Sequence, residues 1–170
     1  MADAIYSLNV GSGTSVYDAV FLAGEERLRG ESGRKAIILI SDGEDTTSRI
    51  DRTEALIAAH QANAVIYSIS NSLPRRGFFG SGRQSAGDIR TLEALSEETG
   101  GAVFVLDNSE RFEEIFAQIA EELRTQYSLG YISTAPEKDG EYREIRIRPR
   151  NRDLQARSRK GYYAPLENDR

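Results

Sequence analysis

The chain has 170 residues, 39% of them hydrophobic and 29% charged, which is the balance of a folded globular domain with a substantial core. The absence of cysteine excludes disulfides, thiolate metal sites and cysteine nucleophiles, and it leaves the cellular compartment open. A formal net charge of −5 argues against a nucleic-acid partner, and the sequence has no apolar run of about 18 residues that would cross a membrane.

A glycine-rich turn precedes the first predicted helix. The sequence GSGT at residues 11–14 leads into a helix that ends near Arg29, and Ser15 and Asp18 have the spacing of a capping box at its start. Two roles are open to the threonine of this turn. Its hydroxyl is a hard oxygen ligand suited to Mg²⁺, and Thr14 or Ser15 equally suits the role of helix N-cap.

An acidic turn follows the first predicted strand. Residues 35–41 form an apolar run, which we interpret as a strand of a parallel sheet that is buried on both faces. Asp42 and Glu44 come directly after it, at the carboxyl end of the strand, where open α/β sheets bind their ligands. Asp42 also suits a turn-forming role before Gly43, and Asp45 suits an N-capping role near the next helix.

Strands and helices continue to alternate along the chain. The predicted elements are a helix at 50–62, a strand at 65–69, a long loop at 71–87, a short helix from 89, a strand at 102–106 and an amphipathic helix at 112–123. Parallel neighbouring strands need crossover helices between them, so this order predicts a parallel α/β sheet flanked by helices. The single histidine, His60, falls on a helix face, where we expect a partly buried structural role.

The last third of the chain changes character. Residues 127–132, 142–148 and 154–163 have the composition of strands separated by turns, which predicts an antiparallel β-meander. We divide the chain at this change, into residues 1–126 and a β extension, residues 127–170, that packs on or continues the same domain. The basic residues between 141 and 160 are expected on the solvent face, where they discourage sheet-to-sheet aggregation.

Four motifs give the chain a family resemblance. The GSGT turn at 11–14 and the SDG turn at 41–43 resemble the second half of a von Willebrand factor A domain. QYSLGY at 126–131 and RKGYY at 159–163 are similar to the ending of a bacterial subgroup of these domains. The resemblance implies a Rossmann-like fold, a non-enzymatic function in protein binding and adhesion, and a parent protein that is exported from a bacterial cell.

The resemblance also implies a metal-ion-dependent adhesion site. Thr14 and Asp42 would be ligands of Mg²⁺ or Mn²⁺, and Glu44 would be a weaker candidate in the outer shell. A carboxylate from the protein partner would complete the shell in the intact domain. One hydroxyl and one carboxylate leave most of the six oxygen positions of Mg²⁺ to water, so we expect weak binding by this chain alone.

The family's first metal-binding loop, Asp-x-Ser-x-Ser, is missing from this sequence. We therefore predict that the chain begins inside the domain, as a truncated gene product or an expression fragment. In the family the missing first strand lies at the centre of the sheet, so its loss would turn the strand Lys35–Ser41 into an apolar edge. Two hypotheses follow: the chain forms a homodimer through that edge, or its own N-terminal segment covers it.

Other residues suggest two rival functions. The long loop carries Arg75, Arg76, Phe78 and Phe79, and an aromatic pair flanked by arginines suits a protein interface that needs no metal. The β extension is a second surface for such metal-independent binding. The acids at 42–45 would instead suit a metal-dependent phosphohydrolase if they held Mg²⁺ against a phosphate, although we expect no enzymatic activity.

Overall fold

The computed structural model describes residues 11, 13–71, 86–106, 111–134 and 137–166 of the chain. Three parallel strands form a sheet in the order β1 (Lys35–Ser41), β2 (Ala64–Ser70) and β3 (Val103–Val105), so that β2 is central. The helices around them are α1 (Val16–Leu22), α2 (Arg52–Gln61), α3 (Ala86–Thr99) and α4 (Phe112–Arg124). A separate antiparallel pair contains β4 (Tyr142–Glu144) and β5 (Gly161–Tyr163). The predicted α/β fold, with a parallel sheet and an antiparallel C-terminal part, is confirmed.

The central strand β2 divides the core into two clusters. Ile66 points to one face and packs with side chains of α1, α2 and α3. Tyr67 and Ile69 point to the other face and pack against Ile115 and Ile119 of α4. Full burial of an aliphatic side chain of this size contributes about 1.5–3 kcal/mol, so the two helix layers hold β2 from both sides. No helix within the described ranges is long and apolar enough to cross a membrane.

α1 approaches α2 very closely. It continues as a π-helical turn, Ala23–Leu28, in which Gly24 is buried against the backbone of α2. A Cβ at position 24 would stand 2.8 Å from the carbonyl carbon of Ala58, closer than real contacts allow. The absence of a side chain at Gly24 therefore sets the separation of the two helices.

β1 differs from the prediction of a strand buried on both faces. Among the described residues it pairs with β2 alone, so its other side is an edge of the sheet. Ile37 and Leu39 pack into the core beside α1 and α2, whereas Ile38 and Ile40 on the opposite face are 40% and 51% exposed. The prediction was wrong because an apolar run does not reveal whether a second layer covers the strand.

The C-terminal part is less regular than the predicted meander. Residues 127–132 form no strand, and the regular pairing between the other two predicted strands is limited to 142–144 with 161–163. Residue type favoured a strand at 127–132, but that segment has no pairing partner in the described part of the chain. A strand needs a neighbouring edge as well as suitable residues, so the prediction was wrong here.

The β4–β5 pair is anchored at the amino-terminal end of the parallel sheet. The amide of Lys160 donates to the carbonyl of Glu98 at 3.0 Å, and its ammonium lies 2.9 Å from a carboxylate oxygen of Glu97. Arg159 donates from Nη1 to Oδ1 of Asn63 at 3.0 Å. The C-terminal residues thus contact the ends of α2 and α3. The division of the chain into residues 1–126 and 127–170 stays a prediction.

His60 lies beneath this pair. Its ring is in edge-to-face contact with Tyr142 and Tyr163, and the residue is 7% exposed. Burial, assisted by the nearby charge of Arg159, lowers the pKa of His60 despite the opposing charge of Glu98. The environment therefore suits the neutral imidazole, and the histidine is more buried than its position on a helix face predicted.

Candidate site at the carboxyl end of strand β1

Two loops meet at the carboxyl end of β1, where the sequence placed the candidate ligands. The amides of Thr46 and Thr47 donate to the carbonyl of Thr14 at 2.8 and 3.1 Å. In return, the amide of Thr14 donates to Oγ1 of Thr46 at 2.9 Å. Gly13 permits this approach, because a Cβ there would collide with the side chain of Thr47. The glycine turn and the acidic turn are thus joined through the backbone of Thr14.

Asp45 and Ser48 of the second loop cap the start of α1. Oδ2 of Asp45 accepts hydrogen bonds from the amide of Tyr17 at 3.0 Å and from the hydroxyl of Ser48 at 2.5 Å. Oδ1 of Asp45 accepts from the amide of Ser48 at 3.2 Å, and the Ser48 hydroxyl accepts from the amide of Asp18, also at 3.2 Å. These bonds satisfy two amides of the first helical turn that have no partner within the helix.

The electrostatics of Asp45 follow from these contacts. Partial burial would by itself raise the pKa of this carboxyl group. The hydrogen bonds from the Ser48 hydroxyl and from the amides of Tyr17 and Ser48 outweigh burial and hold the pKa below its ordinary value of 3.8. Asp45 is therefore an ionised structural residue whose charge is directed at the amino terminus of α1.

Asp18 of α1 caps the second loop in return. Its Oδ1 accepts from the amides of Arg49 at 2.9 Å and Ile50 at 3.2 Å. We call this reciprocal arrangement, in which Asp45 and Ser48 bind α1 while Asp18 binds residues 49 and 50, the crossed cap. Each of the two segments supplies the hydrogen-bond acceptors that the other lacks.

The crossed cap overturns two sequence predictions. Ser15 and Asp18 form no capping box, because the Ser15 side chain makes no cap bond to α1 and instead meets Oγ1 of Thr47 at 2.7 Å. Asp45 caps α1, which precedes it, rather than the next helix. The box of this region lies at α2, where Asp51 accepts from the Glu54 amide at 3.0 Å and Glu54 accepts from the Asp51 amide at 3.2 Å. Its D-x-x-E signal was present in the sequence but fell inside a helix predicted to begin at residue 50.

The candidate ligands Thr14, Asp42 and Glu44 lie on the two joined loops. Asp42 also forms a turn, as the Asp-Gly sequence predicted. Its Oδ1 accepts from the amide of Glu44 at 3.1 Å, and Gly43 between them adopts a φ of 86°, a conformation that favours glycine. The Thr14 and Glu44 side chains are exposed and form no hydrogen bond to another described residue. The second oxygen of Asp42, the Glu44 carboxylate and the Thr14 hydroxyl are therefore the oxygen atoms that remain for a cation.

Those oxygen atoms fit only part of a Mg²⁺ shell. Magnesium prefers about six oxygens in octahedral geometry and keeps its water where protein ligands are few. Across the described ranges, no group of three or more His, Asp or Glu side chains is placed to hold a metal ion. The metal roles of Thr14, Asp42 and Glu44 stay predictions, and so does the partner-binding role of Arg75, Arg76, Phe78 and Phe79, which lie outside the described residues.

Comparison with known proteins supports the fold. BatB, a conserved hypothetical protein from Bacteroides thetaiotaomicron, has a TM-score of 0.51 and 21% identity over 71% of this chain and 64% of its own. The fold is von Willebrand factor A-like. No family model and no curated protein matches the chain.

Two further solved structures are similar over a large part of the chain. An uncharacterized membrane-spanning protein from Vibrio fischeri is 33% identical over 54% of this chain and 48% of its own, with a TM-score of 0.41. An aerotolerance-related membrane protein from Bacteroides fragilis NCTC 9343, with multiple mutations to serines, is 17% identical over 73% of this chain and 67% of its own, with a TM-score of 0.48. The chain thus spans between 48% and 67% of the three matched structures.

Proposed function

We propose that this chain is a non-enzymatic protein-binding module whose binding face is the pair of joined loops at the carboxyl end of β1. The observation that supports this most directly is the set of hydrogen bonds that fixes Thr14 against residues 46 and 47. Open α/β sheets bind ligands at the carboxyl ends of their strands, and a binding face gains affinity when its loops are ordered before the partner arrives.

A divalent cation takes part in this proposal. The Thr14 hydroxyl and the second carboxylate oxygen of Asp42 would hold Mg²⁺ or Mn²⁺ directly, and Glu44 would act from the outer shell through water. The cation would supply positive charge that attracts a carboxylate of the protein partner, and that carboxylate would complete the shell. Because this chain offers few ligands, we expect an affinity in about the millimolar range.

The test is calorimetric and thermal titration of the chain with Mg²⁺ and Mn²⁺. We expect saturable stabilisation that is lost in Asp42→Ala and reduced in Thr14→Val, since each variant removes one direct ligand. Asp153→Ala is the matched control, because Asp153 is an exposed acid in a turn that belongs to neither of the two joined loops. Equal responses from all four proteins, or no response from any, would refute the metal-assisted function.

Metal-independent binding is the second candidate function. The observation that favours it is the exposure of apolar side chains in the β extension, where Tyr127 is 92% and Ile132 is 95% exposed. Binding of a partner that persists in a chelator would favour this candidate, whereas binding abolished by the chelator would favour the first. Turnover of phosphate esters that is lost in Asp42→Ala would instead point to the third prediction, a phosphohydrolase.

A further inference from the structure

Residues 127–132 are the most exposed apolar stretch of the described chain. Tyr127, Leu129, Tyr131 and Ile132 are 92%, 71%, 59% and 95% exposed. Their residue types are those enriched in strands. The backbone of this segment nevertheless forms no hydrogen bond with another described residue. The segment therefore presents unpaired backbone groups together with apolar side chains, which is the surface of an unpaired strand edge.

The outer side of β1 is a second unpaired edge. β1 pairs with β2 on one side only, within the described part of the chain, and it carries the exposed Ile38 and Ile40. The element has seven residues, which closely matches the six of the segment 127–132. Within the described part of the chain, two edges of similar length and apolar character are thus unpaired.

Arg34 joins these two edges at one end. Its Nη1 donates to the carbonyl of Leu123 at 2.8 Å, and its Nη2 donates to the carbonyl of Gln126 at 3.0 Å. Arg34 directly precedes β1, so the segment 127–132 leaves α4 beside the amino-terminal end of β1. Farther along, Tyr131 makes an edge-to-face contact with Tyr162 of β5, with ring centroids 6.4 Å apart. The segment therefore begins next to β1 but turns toward β5 rather than pairing with the strand of its own copy.

We propose that two copies of this chain associate by reciprocal strand addition, in which residues 127–132 of each copy pair along the outer edge of β1 of the other. A twofold axis requires a self-complementary surface, and two different edges that adjoin on one molecule provide it. The exposed fractions of the six side chains correspond to roughly 500 Å² of apolar surface per copy, or about 1,000 Å² in the pair, which reaches the lower size of a specific interface. This association does not depend on the proposed cation site.

The test is the molar mass of the full chain by light scattering and sedimentation, with one variant for each edge. We expect the wild type at twice 18.9 kDa, and Ile40→Lys and Leu129→Glu each at 18.9 kDa. An equimolar mixture of the two variants should return to the dimer mass, because it forms one native junction and one junction that pairs the lysine with the glutamate. Leu154→Glu, at a residue that is 61% exposed and outside both edges, should remain dimeric.

Several outcomes would overturn the proposal. A wild-type chain that stays monomeric at about 100 μM would overturn the proposal. A dimer that survives Leu129→Glu does not use residues 127–132, which would overturn the proposal. If Ile40→Lys alone breaks the dimer, β1 pairs with an edge other than residues 127–132, and the proposal is again wrong. Circular dichroism checks that each variant is folded. If Ile40→Lys unfolds, Leu129→Glu decides alone, because a side chain that is 71% exposed contributes little to the fold.

Discussion

Replacement of Asp45 tests whether the crossed cap stabilises the candidate site. Asp45→Ala removes three hydrogen bonds, to the Tyr17 amide, the Ser48 amide and the Ser48 hydroxyl. Loss of a helix cap costs about 1 kcal/mol, and a hydrogen bond to a charged group contributes about 1.5–3 kcal/mol where it is well buried. Because Asp45 is only half-buried, we expect the free energy of unfolding to fall by about 2 kcal/mol.

Urea unfolding at pH 7 in the presence of a chelator measures this loss. With an m value near 2 kcal/mol/M, the midpoint should fall by about 1 M, and Asp45→Asn, which keeps an acceptor oxygen, should lose about half as much. Glu44→Ala is the matched control, since the neighbouring carboxylate is exposed and bonds to no other described residue. A midpoint of Asp45→Ala equal to that of the control would refute the structural role of the crossed cap.

The same pair of proteins gives a pH test of the argument. The pKa of Asp45 is lowered in the folded chain, so the unfolded chain binds its proton first as the pH falls. The stabilisation should be fully present above about pH 4 and should disappear as the pH drops through the folded pKa. The difference between wild type and Asp45→Ala should therefore be larger at pH 7 than at pH 3.

Three other changes test the packing in the rest of the fold. Burial lowers the pKa of His60 in the folded chain, so the free energy of unfolding should be highest above the ordinary pKa of 6.5 and should fall at lower pH, where the unfolded chain binds the proton first. The ring resonances of this single histidine report its titration. His60→Gln should make the free energy of unfolding less dependent on pH in this range. Gly24→Ala should lower the free energy of unfolding by about 1–3 kcal/mol because its Cβ would meet the backbone of Ala58, whereas Gly11→Ala, in open space, should leave the urea midpoint unchanged. Arg34→Ala should lower the free energy of unfolding by about 1–2 kcal/mol, because it removes the hydrogen bonds from Arg34 to carbonyls at the end of α4. A loss equal to that of the surface variant Arg152→Ala would show that these bonds do not stabilise the fold.

The sequence predicted the α/β architecture because local signals determine it. An aliphatic run at 37–40 and a stretch rich in β-branched and aromatic residues at 65–69 marked β1 and β2, and the period of Phe112, Ile115 and Ile119 marked α4. Parallel pairing then followed from the helices between the strands. The position of the candidate site was predictable for the same reason, since the residues after a parallel strand lie at its carboxyl end.

The details of the site depend on contacts between distant residues, which local patterns do not encode. Asp18 has the spacing of a capping box with Ser15, yet its carboxylate binds amides 31 and 32 residues farther along the chain. An Asp-x-x-Ser sequence at 45–48 was a usable signal for a capping loop, but it did not indicate which helix is capped. Similarly, the residue types of 127–132 favoured a strand, while the presence of a pairing edge is a property of the fold.

The crossed cap makes the two loops a single cooperative unit. α1 and the π-helical turn that continues it span residues 16–28, which is within the range of about 12–15 residues where an isolated helix is only marginally stable in water, so the order of its first turn depends on Asp45 and Ser48. The segment at 49 and 50 depends in turn on Asp18. Opening of either segment removes the acceptors of the other, and the amides of both should exchange with solvent at one common rate. A ligand bound at Thr14 alone would therefore slow hydrogen exchange at Ile50, on a different loop, without touching it.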